Sequence, residues 1–98
     1  MSDITRRYLI AYDIPDDHRR SQISSLLQKY GNRVQYSVFV IDIKPARFIR
    51  MKTALLGILD LDDSVLVCDL GPLTGISTDQ FSYLGAERTT FSPGWVIA

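Results

Sequence analysis

Cysteine is almost missing from this 98-residue chain: Cys68 is the only one. A single cysteine excludes an internal disulfide framework and a cysteine-rich zinc site, and it suits a reducing compartment. Histidine is equally scarce, with His18 alone, so no histidine cluster can hold a metal. No apolar run reaches membrane-spanning length. The first residues, Met1 to Arg7, lack the apolar core of a signal peptide, and a cytoplasmic protein is expected. There is no net charge of either sign, which argues against a strongly basic nucleic-acid binder. No phosphate-binding glycine loop, nucleophile elbow, internal repeat or low-complexity tract is present.

The charge that exists is unevenly spread. Residues 1–52 carry ten Lys/Arg against five Asp, and residues 53–98 carry one Arg against six acids. A neutral chain can build a basic face from such a split, although early surface charges alone would give the same count. An apolar fraction of 46% is ordinary for one soluble domain. One domain over 1–98 is expected, with a core over about 7–72 and a less regular tail over about 73–98.

Short apolar segments alternate with helical patterns. Arg7–Ile14 reads as a central strand stopped by Pro15, with Leu9, Ala11 and Asp13 on one face and Tyr8, Ile10 and Tyr12 on the other. Pro15-Asp16-Asp17 opens a helix whose stripe is Ile23, Leu26, Leu27 and Tyr30, and Gly31 is expected as its left-handed cap. Arg33–Ile43 is a second β region, long enough to bend or divide at Gln35-Tyr36-Ser37. Pro45 starts a second helix with Phe48, Met51, Leu55, Leu56 and Leu59 inward. Ser64–Leu70 is expected as a buried strand, Cys68 included, broken by Gly71-Pro72. Gln80–Leu84 and Trp95–Ile97 are candidate short strands. The order implies an α+β fold of the split βαβ, ferredoxin-like plan, with both helices on one face of the sheet. The other face then needs a cover, and a second protomer would supply it. Tyr8 and Tyr12 are the expected contacts there.

Asp13, at the carboxyl end of the first strand, is the residue of greatest chemical interest, because ligands gather at such ends in α/β folds. Its carboxylate can bind a hard divalent cation, or simply satisfy the turn at Pro15. One Asp is a poor metal site, whereas two copies across a two-fold axis could share one ion. His18, in a first helical turn, is an acid–base candidate or an ordinary exposed residue. Arg19, Arg20, Arg33, Arg47 and Arg50 are suited to phosphate by their planar donor forks. Tyr12, Tyr36 and Phe39 could stack on bases, or lie in the core.

Two blocks taken together, Tyr12-Asp13-Ile14-Pro15-Asp16-Asp17 and Arg33-Val34-Gln35-Tyr36-Ser37-Val38-Phe39, with Arg19-Arg20 and Tyr30-Gly31 between them, resemble the Cas-two family of CRISPR-associated endonucleases over about residues 7–72. The resemblance implies a ferredoxin-like homodimer with an extra C-terminal strand, a β region divided at Gln35–Ser37, and a catalytic, metal-binding Asp13 from both protomers. It implies Mg²⁺ or Mn²⁺ as cofactor, with Tyr12, Ser37 and Phe39 in support, while the five arginines are expected on nucleic acid from their chemistry alone. It also implies work in spacer acquisition beside the CRISPR integrase, as a nuclease on single-stranded RNA or double-stranded DNA. A non-catalytic scaffold on duplex DNA and a toxin-like ribonuclease of the VapD type are the alternatives. Gln22 stands where some members carry a basic residue.

Overall fold

The computed structural model describes residues 3–74 and 82–88. Its elements run β1 (Arg6–Asp13), α1 (Asp17–Gln28), β2 (Asn32–Gln35), β3 (Val38–Ile43), α2 (Pro45–Ile58) and β4 (Ser64–Pro72). The strands form one sheet in the order β2-β3-β1-β4, and β1 pairs antiparallel with both β3 and β4. This is the ferredoxin-like α+β plan.

Local chemistry explains the boundaries. Asp16 caps α1, its carboxylate accepting the Arg19 backbone N–H at 2.8 Å, which satisfies a donor that the first turn leaves free. Lys44 precedes α2 without a side-chain cap, and Pro45 opens the helix where its missing N–H costs nothing. The long β region divides as expected: Tyr36 and Ser37 turn between β2 and β3, and the register shifts between Arg33 and Gln35. Gly31 is not a left-handed cap, since its φ is not positive. Its reason is space: a Cβ there would lie 2.5 Å from Ile41 Cγ1 and 2.5 Å from the Val40 carbonyl oxygen. The helix ends instead at Lys29, whose N–H donates to the Leu26 carbonyl at 3.1 Å, while the Tyr30 and Gly31 N–H groups donate to the Leu27 carbonyl at 2.9 and 3.0 Å.

The core lies between the sheet and the two helices. Ile10, Ile23, Leu27, Phe39, Ile41 and Met51 are fully buried there. Tyr8 stacks face to face on Phe48 with centroids 4.0 Å apart. Tyr8 and Tyr12 therefore point toward the helices, not toward the open face. That face carries the alternate residues Leu9, Ala11 and Asp13, which register with Val40, Val38 and, on β4, Cys68, Leu66 and Ser64. The expectation of a buried last strand is also overturned. β4 is the sheet edge, with Cys68 exposed and Leu66 and Val67 at 59% and 39% exposure, because no described residue covers that edge. The strand runs on through Gly71, whose φ of +107° only glycine adopts readily. Leu56, expected inward, is exposed on α2.

At the far side of the open face Tyr83 meets β2. The Tyr83 hydroxyl donates to the Val34 carbonyl at 2.5 Å, and Leu9, Val34, Val38, Val40, Leu70 and Tyr83 help to line a groove of about 370 Å³. Ser82–Leu84 is not a strand. Gln80 and the segment Trp95–Ile97 lie outside the described residues, as does the expected C-terminal strand.

Candidate active site

Asp13 ends β1, exposed, with Ser64 of β4 opposite it. Its carboxylate forms no hydrogen bond or ion pair with a described residue. The chain leaves β1 through Ile14 and Pro15 and enters α1 at Asp17, so a three-residue loop joins Asp13 to the first turn of α1. The Tyr12 N–H donates to the Ser37 carbonyl at 3.1 Å, and the Tyr12 hydroxyl donates to the Tyr36 carbonyl at 3.4 Å. These two bonds draw the β2–β3 turn to the same end of the sheet. Tyr36 stands out from that turn at 74% exposure, the one exposed ring among the three aromatic candidates, with its side chain interacting with Arg20. Phe39 is core, packed on Tyr12 and covered by the Arg33 guanidinium at 5.4 Å.

The five arginines fall into separate places. Arg19 and Arg20 lie on the first turn of α1, just after the loop that follows Asp13. Arg20 donates to the Ile14 carbonyl at 2.8 Å and pairs with Asp17. The Asp17 hydrogen bond, helped by Tyr36, raises its pKa. Arg19 donates to both Asp63 oxygens at 2.7 and 3.2 Å. That bond raises the pKa of Arg19, and with the Asp60 N–H it lowers that of Asp63. Arg33 is bound to Ser24 Oγ within the fold. Arg47 lies over the Tyr30 ring at 5.0 Å, and Arg50 is exposed on α2. Because α2 begins where β3 ends, beside Arg6 in the register, Arg47 and Arg50 start from the end of the sheet opposite Asp13. His18 is exposed on α1, as is Gln22.

Two of the ion pairs across the fold have no sequence signal. One joins Arg19 to Asp63. The Arg7–Asp42 pair, bidentate at 2.7 and 2.9 Å with Arg7 at 1% exposure, lies across β1 and β3. Neither pairing has a local signal, since each joins residues far apart in the chain.

The donor set limits the metal. Among the described residues no three His, Cys, Asp or Glu side chains gather into a metal-binding group. That rules out an all-protein cage built from those residues alone. Mg²⁺ needs no such cage, because it keeps several waters and is commonly held by one or two carboxylates with substrate phosphates. Asp13 contributed by two protomers would meet that demand.

Comparison with known proteins gives a consistent result. The family model described as CRISPR associated protein Cas2 matches residues 6–72. A protein of Synechocystis named CRISPR-associated endoribonuclease Cas2 3 is 40% identical over 90 residues, covering 92% of this chain and 96% of that one. The crystal structure of Streptococcus pyogenes Cas2 at pH 6.5 is 30% identical, with a TM-score of 0.70 over 81% of this chain and 99% of that one. A chain in a partial Cas6-RT-Cas1–Cas2 complex is 32% identical, with a TM-score of 0.60 over 66% of this chain and 73% of that one.

Proposed function

The chain belongs to the CRISPR-associated Cas2 family, and from that premise we propose that it is a Mg²⁺-dependent endoribonuclease of CRISPR adaptation, acting as a homodimer through Asp13. The observation that carries this reading is the position of Asp13: a solvent-facing carboxylate, without a partner among described residues, at the strand end of the open sheet face. The endoribonuclease name of the Synechocystis relative supports the reaction. Leu66, exposed on β4, and the half-buried Leu9, Ala11 and Val38 on that face support the homodimer, since a second copy would cover the apolar surface that remains accessible. Metal dependence and the use of duplex DNA as a further substrate rest on the same site.

In the dimer, the Asp13 carboxylates of the two protomers would together hold a single Mg²⁺. The ion, when bound, polarises a phosphodiester and lowers the pKa of its water. The chain's own residues do the rest. Arg20, fixed to the Ile14 carbonyl, offers its remaining donors to a phosphate beside Asp13. Tyr36 offers a ring face to an unpaired base, which suits single-stranded RNA. Tyr12, through its two bonds to the β2–β3 turn, keeps Tyr36 at that end of the sheet.

The direct test is to assay wild type and Asp13→Ala, purified identically, on RNA and duplex DNA with Mg²⁺, Mn²⁺ and chelator. The variant should lose on the order of a thousandfold in rate and keep its fold. Equal rates in both would overturn the assignment. A second reading, a scaffold for duplex DNA and the integrase, is favoured by one observation, the resemblance to a chain within a Cas1–Cas2 assembly. No cutting by either protein, with retained integrase binding, would select it. Family membership places both readings ahead of a toxin-like ribonuclease.

A further inference from the structure

Arg19 and Asp63 close a loop of chain and contacts that runs through Asp13, the candidate catalytic residue. Asp63 immediately precedes Ser64, the residue opposite Asp13 in the β1–β4 register. Arg19 reaches Asp63 with a two-pronged bond, 2.7 Å from Nε and 3.2 Å from Nη2. The Arg19 backbone N–H is held by Asp16, three residues beyond Asp13. The path from Asp13 through the loop to Asp16, on to Arg19, across to Asp63 and back by Ser64 returns to its start. The Asp63 side chain has no exposed surface, and its Oδ2 also accepts the Asp60 N–H at 2.9 Å.

The charge around Arg19 is unsuited to a polyanion. Asp63, Asp60 at 3.7 Å and Asp16 at 3.9 Å all face one guanidinium. Three carboxylates against one cation leave the cluster negative, so a nucleic-acid phosphate arriving there meets repulsion. Arg20, with Asp17 alone among the carboxylates, carries no such excess.

We propose that Arg19 and Asp63 are positioning residues, a brace that fixes the two chain segments flanking Asp13, and that Arg19 does not contact substrate phosphate. The proposal rests on Asp13 as the catalytic carboxylate. Acting through position alone, the brace sets the rate of the chemical step and leaves RNA affinity alone.

The test uses the full chain with Arg19→Lys, which keeps the charge and loses the fork, with Asp63→Asn, which keeps the shape and loses the charge, and with the double variant. Melting by circular dichroism selects the variants that fold. Steady-state cutting, RNA affinity at several salt concentrations, Mn²⁺ affinity, and amide hydrogen exchange at Ile14, Asp17 and Ser64 are then read. The brace predicts kcat lower by roughly ten- to a hundredfold in each single variant, the scale of a misplacement of about 1 Å. It predicts KM and RNA affinity changed by less than about twofold, with an unchanged salt slope. It further predicts weaker Mn²⁺ binding, faster exchange at Ile14 and Ser64, and a double variant no worse than the singles. Weaker RNA binding in Arg19→Lys, together with tighter binding in Asp63→Asn as Arg19 is freed, would make Arg19 a phosphate ligand and overturn the brace. Unchanged kcat, exchange and Mn²⁺ affinity would overturn it equally. If wild type does not cut, the catalytic reading of Asp13 fails separately, and exchange and RNA affinity still decide the brace.

Discussion

The two strands that flank β1 carry similar side chains and meet opposite fates. β3 (Val-Phe-Val-Ile-Asp-Ile) has four of its six residues buried, and Phe39 and Ile41 admit no solvent. β4 opens with Ser-Val-Leu-Val-Cys, nearly as apolar, yet none of its nine residues is buried. Composition does not separate them. Position does: β3 is interior, between β2 and β1, and its helix-side residues lie under α1 and α2, whereas β4 forms the edge. A long apolar edge strand left in water is a template for pairing or a surface awaiting a partner. The buried strand reports how the monomer folds, and the exposed one marks the surface that a partner would cover.

Substitutions in the two strands should therefore act on different equilibria. The largest effect is expected from Phe39→Ala, which empties a site enclosed by Tyr12, Arg33 and the core, at a cost of about 3–5 kcal/mol in denaturant unfolding. A cost below about 1 kcal/mol would mean that the ring is not core. Next comes Gly31→Ala. Its new methyl would press on Ile41 and the Val40 carbonyl, costing about 1–3 kcal/mol as overpacking does; a neutral result would show that β3 can yield there. Leu66→Ser on β4 should shift monomer stability by no more than about 0.5 kcal/mol, yet move the mass in light scattering from dimer toward monomer at micromolar concentration. If it unfolds the chain and leaves the mass unchanged, the edge strand is core after all.

The smallest effect follows from acid. Asp63 and Asp69 both have pKa values lowered below the ordinary carboxylate, Asp63 chiefly by its Arg19 hydrogen bond and Asp69 chiefly by the Gly71 N–H, with Arg6 adding to it. A lowered folded pKa means that the unfolded chain binds the proton more readily. The stability these groups contribute is complete above the unfolded carboxylate value of about 4, and is lost as pH falls through the lower folded values. Melting followed from pH 6 downward should therefore show a loss confined to the acid range that Asp63→Asn reduces. Asp69→Asn should reduce it less, because Asp69 is 45% exposed and solvent screens its pair.

Much of the fold was legible because its signals are local. The proline and capping aspartate before α1, the Pro45 start of α2 and the polar break at Tyr36-Ser37 each act within a few residues. The alternation in β1 correctly separated Tyr8, Ile10 and Tyr12 from Leu9, Ala11 and Asp13. It could not say which set met the helices, since both are apolar and the choice depends on where α1 and α2 pack. The error over Cys68 is of the same kind: an apolar run looks the same at the centre of a sheet and at its edge. Gly31 was noticed for the wrong reason, because close approach to β3 is a tertiary contact. At the candidate site, Asp13 and Arg20 could be picked out by position and residue type. Asp63 could not, because its bond to Arg19 spans 44 residues.

The central claim is that two Asp13 carboxylates share one divalent ion in a dimer. The stoichiometry of Mn²⁺ bound to the purified protein tests it most directly, read by equilibrium dialysis with electron paramagnetic resonance of the free ion. The account predicts one Mn²⁺ per two chains in the wild type, and none tightly held by Asp13→Ala at the same dimer mass. One ion per chain, or the same binding in Asp13→Ala, would contradict it.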